Sequence, residues 1–278
     1  MKRFLIIAAA AGAILVSCAK TETVNVSDAK YIGFDNAYIG NPTKAVEEVN
    51  DANIDHFYVF GGYDGPTTVF ENVEVSKSAN AWTYTDQKPW VNERVYKFAA
   101  YYDDGPLTTT TNVSFDYASG HLTLTDIVIN PDNQVDMLYA ENNFGNSGGE
   151  GTVRNKVQFS FSHILSMVQF TINSGFGDGV NVTVTDFDFS GMDSKATYSF
   201  VTDKMKWSDA ADEIAENNGF KLFQTDNIAT VSGGKSEPAI DNCIVMPQGL
   251  PTGENIKATF TVTVTGTGIT EDGTTNTK

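Results

Sequence analysis

Few residues of this chain have the types and spacing that chemistry needs. The histidines are His56, His121 and His163. They fall in three separate alternating segments with no second histidine two or four positions away, so a histidine-rich zinc site is not expected. There is no Gly-x-Ser-x-Gly elbow and no phosphate-cradling glycine loop, which removes the usual parts of nucleophilic and nucleotide chemistry. The 35 acidic residues leave a glycosidase-like carboxylate pair open, because the fold and not the sequence would bring such a pair together. No cofactor and no metal are expected, and the chain reads as a non-enzyme.

One stretch imitates a calcium loop. "DFDFSGMD" puts Asp186, Asp188, Ser190 and Gly191 where an EF-hand-type loop carries its first ligands and its turn glycine. The position of the bidentate glutamate is Thr197, and Phe187 and Phe189 alternate as they do in a strand. The end of a strand followed by a turn is the better reading.

The elements that must position any site are strands. "VQFSFSHILSMVQFTI", Val157 to Ile172, begins with Val157, Phe159 and Phe161 on one phase and puts His163 next on that face. Leu165 and Met167 keep the phase, while Val168, Phe170 and Ile172 take the other. The slip predicts a bulge or kink that lets the strand change the face it buries. His163 is expected to be a core or sheet-edge histidine satisfied by a backbone carbonyl or hydroxyl.

Period-2 segments follow one another along the chain, from "YIGFDNA", "HFYVFGGYD" and "VYKFAAYYDD" to "NIKATFTVTVTG", separated by turns such as "YDGP", "DDGP" and "ASG". Thr is plentiful and Val, Phe and Tyr fill the apolar positions, an all-β composition. Only "SDAADEIAENNGF" looks helical, with Ser208 able to cap it and Gly219 able to stop it. No repeat of about 20–50 residues recurs, which disfavours solenoids and propellers. The Gly-, Ser- and Asn-rich run Gly145 to Asn155 is the best candidate for an interdomain linker or exposed loop. Strands at this spacing without a βαβ rhythm predict two antiparallel sandwiches, over residues 31–150 and 151–278. Trp82, Trp90, Trp207 and 11 tyrosines could form a sugar-stacking platform, but their places in alternating strands favour core packing.

Residues 1–17 are read as an export signal: Lys2 and Arg3 precede an apolar run, Phe4 to Val16, too short for a spanning helix. The run ends "LVSC", which resembles the lipobox of bacterial lipoproteins. The resemblance implies cleavage before Cys18, acylation of its sulfur, and a chain held at the outer membrane by lipid. Residues 18–30 then form a polar tether. Cys243 is left without a disulfide partner, so core burial must hold the fold. Loss of Lys2 and Arg3 takes the formal net charge from −17 to −19, which argues against nucleic acid and anionic headgroups as partners.

"YIGFDN", "TKA", "FYVFGGY", "PWVNERVYKFAAYY", "VDMLYA", "VQFSFSHILSMVQFTI" and "CIVMPQG" occur in this order. Together with the lipobox they make the chain similar to the fimbrillin-like family, the subunits of type V pili and their anchor and tip relatives. The resemblance implies two tandem transthyretin-like β-sandwich domains, surface fimbriae that support adhesion, and other fimbrillin subunits as partners. It also leaves room for a host protein or glycan as adhesion ligand. In the major pilins of the family a trypsin-like protease cuts after Arg or Lys and releases an N-terminal strand, whose groove a neighbour's strand then fills. "PTKAVEE" matches the family's processing position, which makes Lys44–Ala45 the candidate bond, with Lys30 second. At the other end "TFTVTVTG" is followed by "TGITEDGTTNTK", where the family usually has a closing segment with a Trp and a Tyr-rich strand. The second sandwich is therefore expected to be incomplete, with an open edge that accepts a neighbour without donating a strand. The alternative function is a surface lipoprotein that binds a glycan or host ligand on the same fold without polymerising.

Overall fold

Alternation of apolar and polar residues becomes strand almost throughout the computed structural model. It describes residues 30–35, 37–39, 53–79, 81–103, 112–129, 136–191, 195–208, 221–225, 229–232, 236–247 and 257–266. In chain order the strands are β1 (Tyr38–Ile39), β2 (His56–Tyr63), β3 (Thr67–Ser78), β4 (Ala81–Thr83), β5 (Val95–Asp103) and β6 (Asn112–Asp116). There follow β7 (His121–Val128), β8 (Met137–Asn146), β9 (Ser160–His163), β10 (Ser166–Asn173), β11 (Val180–Ser190) and β12 (Lys195–Val201). The last are β13 (Lys204–Trp207), β14 (Lys221–Thr225), β15 (Ala229–Ser232), β16 (Ser236–Val245) and β17 (Lys257–Gly266). No α-helix occurs among the described residues. The helical-looking run after Ser208 lies outside them.

Seven strands form one sheet in the order β1-β9-β8-β5-β2-β3-β4. Its central strands are apolar at nearly every position because both faces are covered. On β5, Tyr96, Phe98, Ala100 and Tyr102 enter one core, while Ala99 and Tyr101 enter the other. β2 divides in the same way, with Phe57 and Val59 against Phe60, and so does β8, with Leu138 and Ala140 against Met137 and Tyr139. A strand buried on both faces loses the polar half of the period-2 pattern, and each Phe buried in it stabilises by roughly 2–3 kcal/mol.

The second core lies between this sheet and a four-stranded sheet, β13-β12-β7-β6, through Leu122, Leu124, Ile127 and Ala196. Tyr139 meets Tyr198 edge-on across the gap at 5.5 Å. This pair of sheets is a sandwich. Hydrogen bonding runs across the boundary expected at residues 150 and 151. β9 pairs with β8, and the β12–β13 hairpin adds to β7.

The remaining strands form a two-stranded sheet, β10-β16, and a sheet in which β11 pairs with β14, β15 and β17. Phe170 on β10 contacts Phe187 and Phe189 on β11, at 4.8 and 5.0 Å between ring centroids, and so joins the two sheets. The strand reading of Asp186–Ser190 holds, since these residues end β11. On β17, Phe260 and Val262 are 45 % and 44 % exposed.

The phase slip has a physical origin. Val157, Phe159 and Phe161 belong to the first core and Ile164 to the second. The single strand expected from Val157 is two: β9 ends at His163, and β10 begins at Ser166 in another sheet. The β10–β16 ladder then shifts register on both sides of Phe170, which is the expected bulge.

Candidate functional site

Residues 30–39, "KYIGFDNAYI", include the strand that the first core needs to be closed. Period 2 puts Ile32 and Phe34 on one face. The step of three to Ala37 then shifts the phase, and Ala37 and Ile39 continue the apolar set. Ile32 and Phe34 are 1 % exposed, Ala37 5 % and Ile39 6 %.

The segment is hydrogen-bonded along both flanks. On one side the Val157 N–H donates to the Gly33 carbonyl at 2.8 Å and the Asp35 N–H donates to the Val157 carbonyl at 2.9 Å. The parallel ladder continues as Tyr38 with Ser160 and Ile39 with Phe161. On the other side the Ile32 N–H donates to the Lys88 carbonyl at 2.8 Å and the Trp90 N–H to the Lys30 carbonyl at 3.0 Å. The Tyr84 hydroxyl donates to the Ile32 carbonyl at 2.6 Å and accepts the Lys88 N–H at 3.1 Å. Burial raises the Tyr84 pKa and the Lys88 hydrogen bond opposes that rise, so the phenol stays neutral.

Phe34 sits in an aromatic pocket. It stacks on Phe159 with centroids 6.0 Å apart and planes at 15°, and it meets Phe57, Phe70, Tyr84 and Phe98 edge-on at 5.4 to 6.5 Å. Phe57, Phe70 and Phe98 stand on β2, β3 and β5, so strands hold three of the walls, while Tyr84 and Phe159 lie just outside the ends of β4 and β9.

The run Gly145 to Asn155, expected as a linker or exposed loop, is a clasp behind the Lys88–Trp90 flank. Its organising residue is Ser147, buried at 2 % exposure. The Ser147 hydroxyl donates to the Val91 carbonyl at 2.6 Å and accepts the Arg94 N–H at 3.1 Å. The Arg154 guanidinium reaches the Ser147 carbonyl at 2.7 Å, the Gly148 and Gly149 carbonyls at 3.3 Å, and the Asn92 side-chain oxygen. One planar fork thus fastens the loop to itself and to Asn92.

The residues singled out from sequence are distributed as follows. Cys18, Lys44 and Ala45 lie outside the described residues. The histidines are not brought together; each has its own partners. His56 bonds Asp55 at 2.7 Å and the Asp103 carbonyl at 3.0 Å. His121 bonds Glu141 at 2.6 Å and stacks on Phe200. His163 bonds the buried Asp136 at 2.8 Å, a carboxylate where a carbonyl or hydroxyl was expected. Trp82 and Trp90 are 9 % and 8 % exposed, and the Trp207 indole N–H donates to the Ile164 carbonyl; the first two are core residues. The roles of Tyr84, Ser147 and Arg154 were not legible beforehand, since a tyrosine hydroxyl and a loop clasp leave no periodic trace.

The model of the fimbrillin-like family matches residues 43–277, nearly the whole chain after the buried segment. The chain belongs to the fimbrillin-like family. This family is structural and fimbrial, which sets this fimbrillin-like chain among cell-surface fimbrial proteins. The chain is similar in structure to a Bacteroides ovatus protein provisionally described as a cell adhesion protein. That match has a TM-score of 0.44 and 15 % identity over 84 % of this chain and 82 % of the other. It is also similar to a fimbrial protein of Bacteroides ovatus, with a TM-score of 0.25 and 14 % identity over 66 % of this chain and 46 % of the other. No curated protein sequence matches it.

Proposed function

We propose that this fimbrillin-like chain is a lipid-anchored subunit of surface fimbriae, built as two tandem sandwiches, whose first sandwich is self-complemented by residues 30–39 and joins a neighbour by strand addition. One observation carries the reading: a short segment, remote in sequence from its neighbours, closes the core with Ile32, Phe34, Ala37 and Ile39 and is hydrogen-bonded on both flanks. Such a strand can be replaced by another chain's strand, because main-chain bonds supply affinity and alternate side chains supply fit.

The position of the two candidate bonds discriminates between them. Lys44 follows the segment, so cleavage there frees residues 30–39 from the rest of the sandwich. Lys30 precedes it, and a cut there would leave the strand attached to β2. Cys18 carries the lipid that holds the chain at the outer membrane until release.

The test is treatment of the purified chain with a trypsin-like protease, then gel analysis without and with heating. Cleavage at Lys44 followed by a heat-sensitive ladder is the expected result. Clean cleavage at Lys44 that leaves only monomer at high concentration contradicts the polymerising role.

A further inference from the structure

We infer that the Phe34 pocket selects the strand that a neighbouring subunit supplies, and that this strand reads aliphatic-x-Phe-x-x-small-x-aliphatic and runs parallel to β9. The inference rests on the strand-exchange reading above and adds which partner strand fits.

The main-chain bonds of the slot are blind to sequence. The carbonyls of Lys88 and Val157 and the N–H groups of Trp90 and Val157 would meet any extended strand without a proline at the bonded positions. Tyr84 also reads only a carbonyl. Discrimination must come from the four buried positions, and these differ in what they demand.

The pocket around Phe34 is the most exacting of the four. Its walls are the rings of Phe57, Phe70, Tyr84, Phe98 and Phe159. Edge-on and stacked pairs of this kind are worth about 0.5–1.5 kcal/mol each beyond their area. An aliphatic residue forfeits them. A tyrosine would bring a hydroxyl to a site whose one nearby phenol, Tyr84, is already committed to the Ile32 carbonyl and the Lys88 N–H. At Ala37, 5 % exposed, a large side chain would overfill the core. Position 33 is permissive, because a Cβ there meets only the Lys156 side chain, 3.3 Å away and flexible.

The chain's own β17 meets this pattern in part. With Phe260 in the pocket, Ala258, Thr263 and Thr265 fall where Ile32, Ala37 and Ile39 are. The small residue fits, but the two aliphatic places hold Ala and a polar Thr. A strand from a different subunit, with Val, Ile or Leu at both ends of the pattern, fits better than a second copy's β17.

The experiment uses the full chain trimmed at Lys44, with labelled synthetic peptides and fluorescence anisotropy. The peptides copy residues 30–41, the same segment carrying Phe34→Ala, Phe34→Leu or Ala37→Phe, and residues 257–266. The native peptide should bind tightest and restore the melting temperature of the untrimmed chain. Phe34→Ala should weaken binding at least about a hundredfold, with Phe34→Leu, Ala37→Phe and the 257–266 peptide between. Native and Phe34→Ala peptides binding within about threefold of each other would overturn the pocket as selector while leaving strand exchange intact. Binding by none of the peptides, the native one included, would remove strand exchange and the inference with it.

Discussion

Phe34 pairs with Val157 in the parallel sense at the edge of the seven-stranded sheet. Parallel neighbours cannot be joined by a tight turn, and the whole of β2 to β8 lies between these two residues in the chain. The strand that closes the core is thus seated by its side chains and hydrogen bonds, with no short connection to the strand beside it. That is the property an exchangeable strand requires.

Removal of the Phe34 ring from the intact chain should leave a cavity in the aromatic pocket. Phe34→Ala is expected to lower stability by about 3–5 kcal/mol, and Ile39→Ala by about 2–4 kcal/mol. Urea denaturation followed by tryptophan fluorescence measures both, with Trp82 and Trp90 reporting from the same core. A loss under about 1 kcal/mol for Phe34→Ala would mean that the segment does not close the core.

Processing should depend on one lysine. Lys44→Gln is expected to abolish release of residues 30–39, and Lys30→Gln to leave it unchanged. Mass spectrometry of the digest decides between them, and release that persists in Lys44→Gln would move the processing bond elsewhere.

The clasp predicts an asymmetry between cations. Arg154→Ala should cost roughly 1–3 kcal/mol, since it strips hydrogen bonds from the Ser147, Gly148 and Gly149 carbonyls. Arg154→Lys should restore little, because an ammonium cannot span the fork. Amide hydrogen exchange at Glu93 and Arg94, whose N–H groups bond the clasp, should accelerate in both variants.

Acid and alkali should act through different groups. The Val95 N–H, and then the Arg94 guanidinium, hold the Asp64 carboxyl below its usual range. Its folded pKa lies below the unfolded one, so its contribution is present above the unfolded pKa and disappears as pH falls from about 4 through the depressed value. Asp64→Asn should flatten that limb of a stability-versus-pH curve. Burial, above all, raises the phenol pKa values of Tyr101 and Tyr139. Their contribution is complete below the unfolded value near 10 and is lost as pH rises toward the folded values. In an absorbance titration these phenols should ionise together with the loss of β-sheet circular dichroism, and Tyr139→Phe should move that loss to higher pH.

Much of the fold was legible because alternation maps directly onto burial. "VYKFAAYYDD" and "HFYVFGGYD" announce β5 and β2, and the slip between Phe161 and Val168 announces the change of sheet. The grouping of strands was less legible. Tyr198 on β12 and Leu124 on β7 become partners, yet nothing local in either segment names the other. The segment was legible as a strand, since "YIGFDNA" alternates, but its parallel seat beside Val157 was not, because that depends on a pocket whose walls include Phe57, Phe70 and Phe98 on β2, β3 and β5. The Gly-rich run is the exposed loop its composition suggested, with Asn146, Glu150 to Val153 and Asn155 exposed, but its clasp was not legible, because only in three dimensions do Ser147 and Arg154 meet their partners.

If residues 30–39 must leave the slot before a neighbour can enter, holding them there should block assembly. Tyr38→Cys with Ser160→Cys, at paired positions of the parallel ladder and in a Cys243→Ser background, would lock the strand in place when oxidised. Gel analysis after cleavage at Lys44 should show monomer under oxidising conditions and a heat-sensitive ladder once a reductant is added. A ladder that forms equally well with the lock closed would show that assembly does not need the segment to leave.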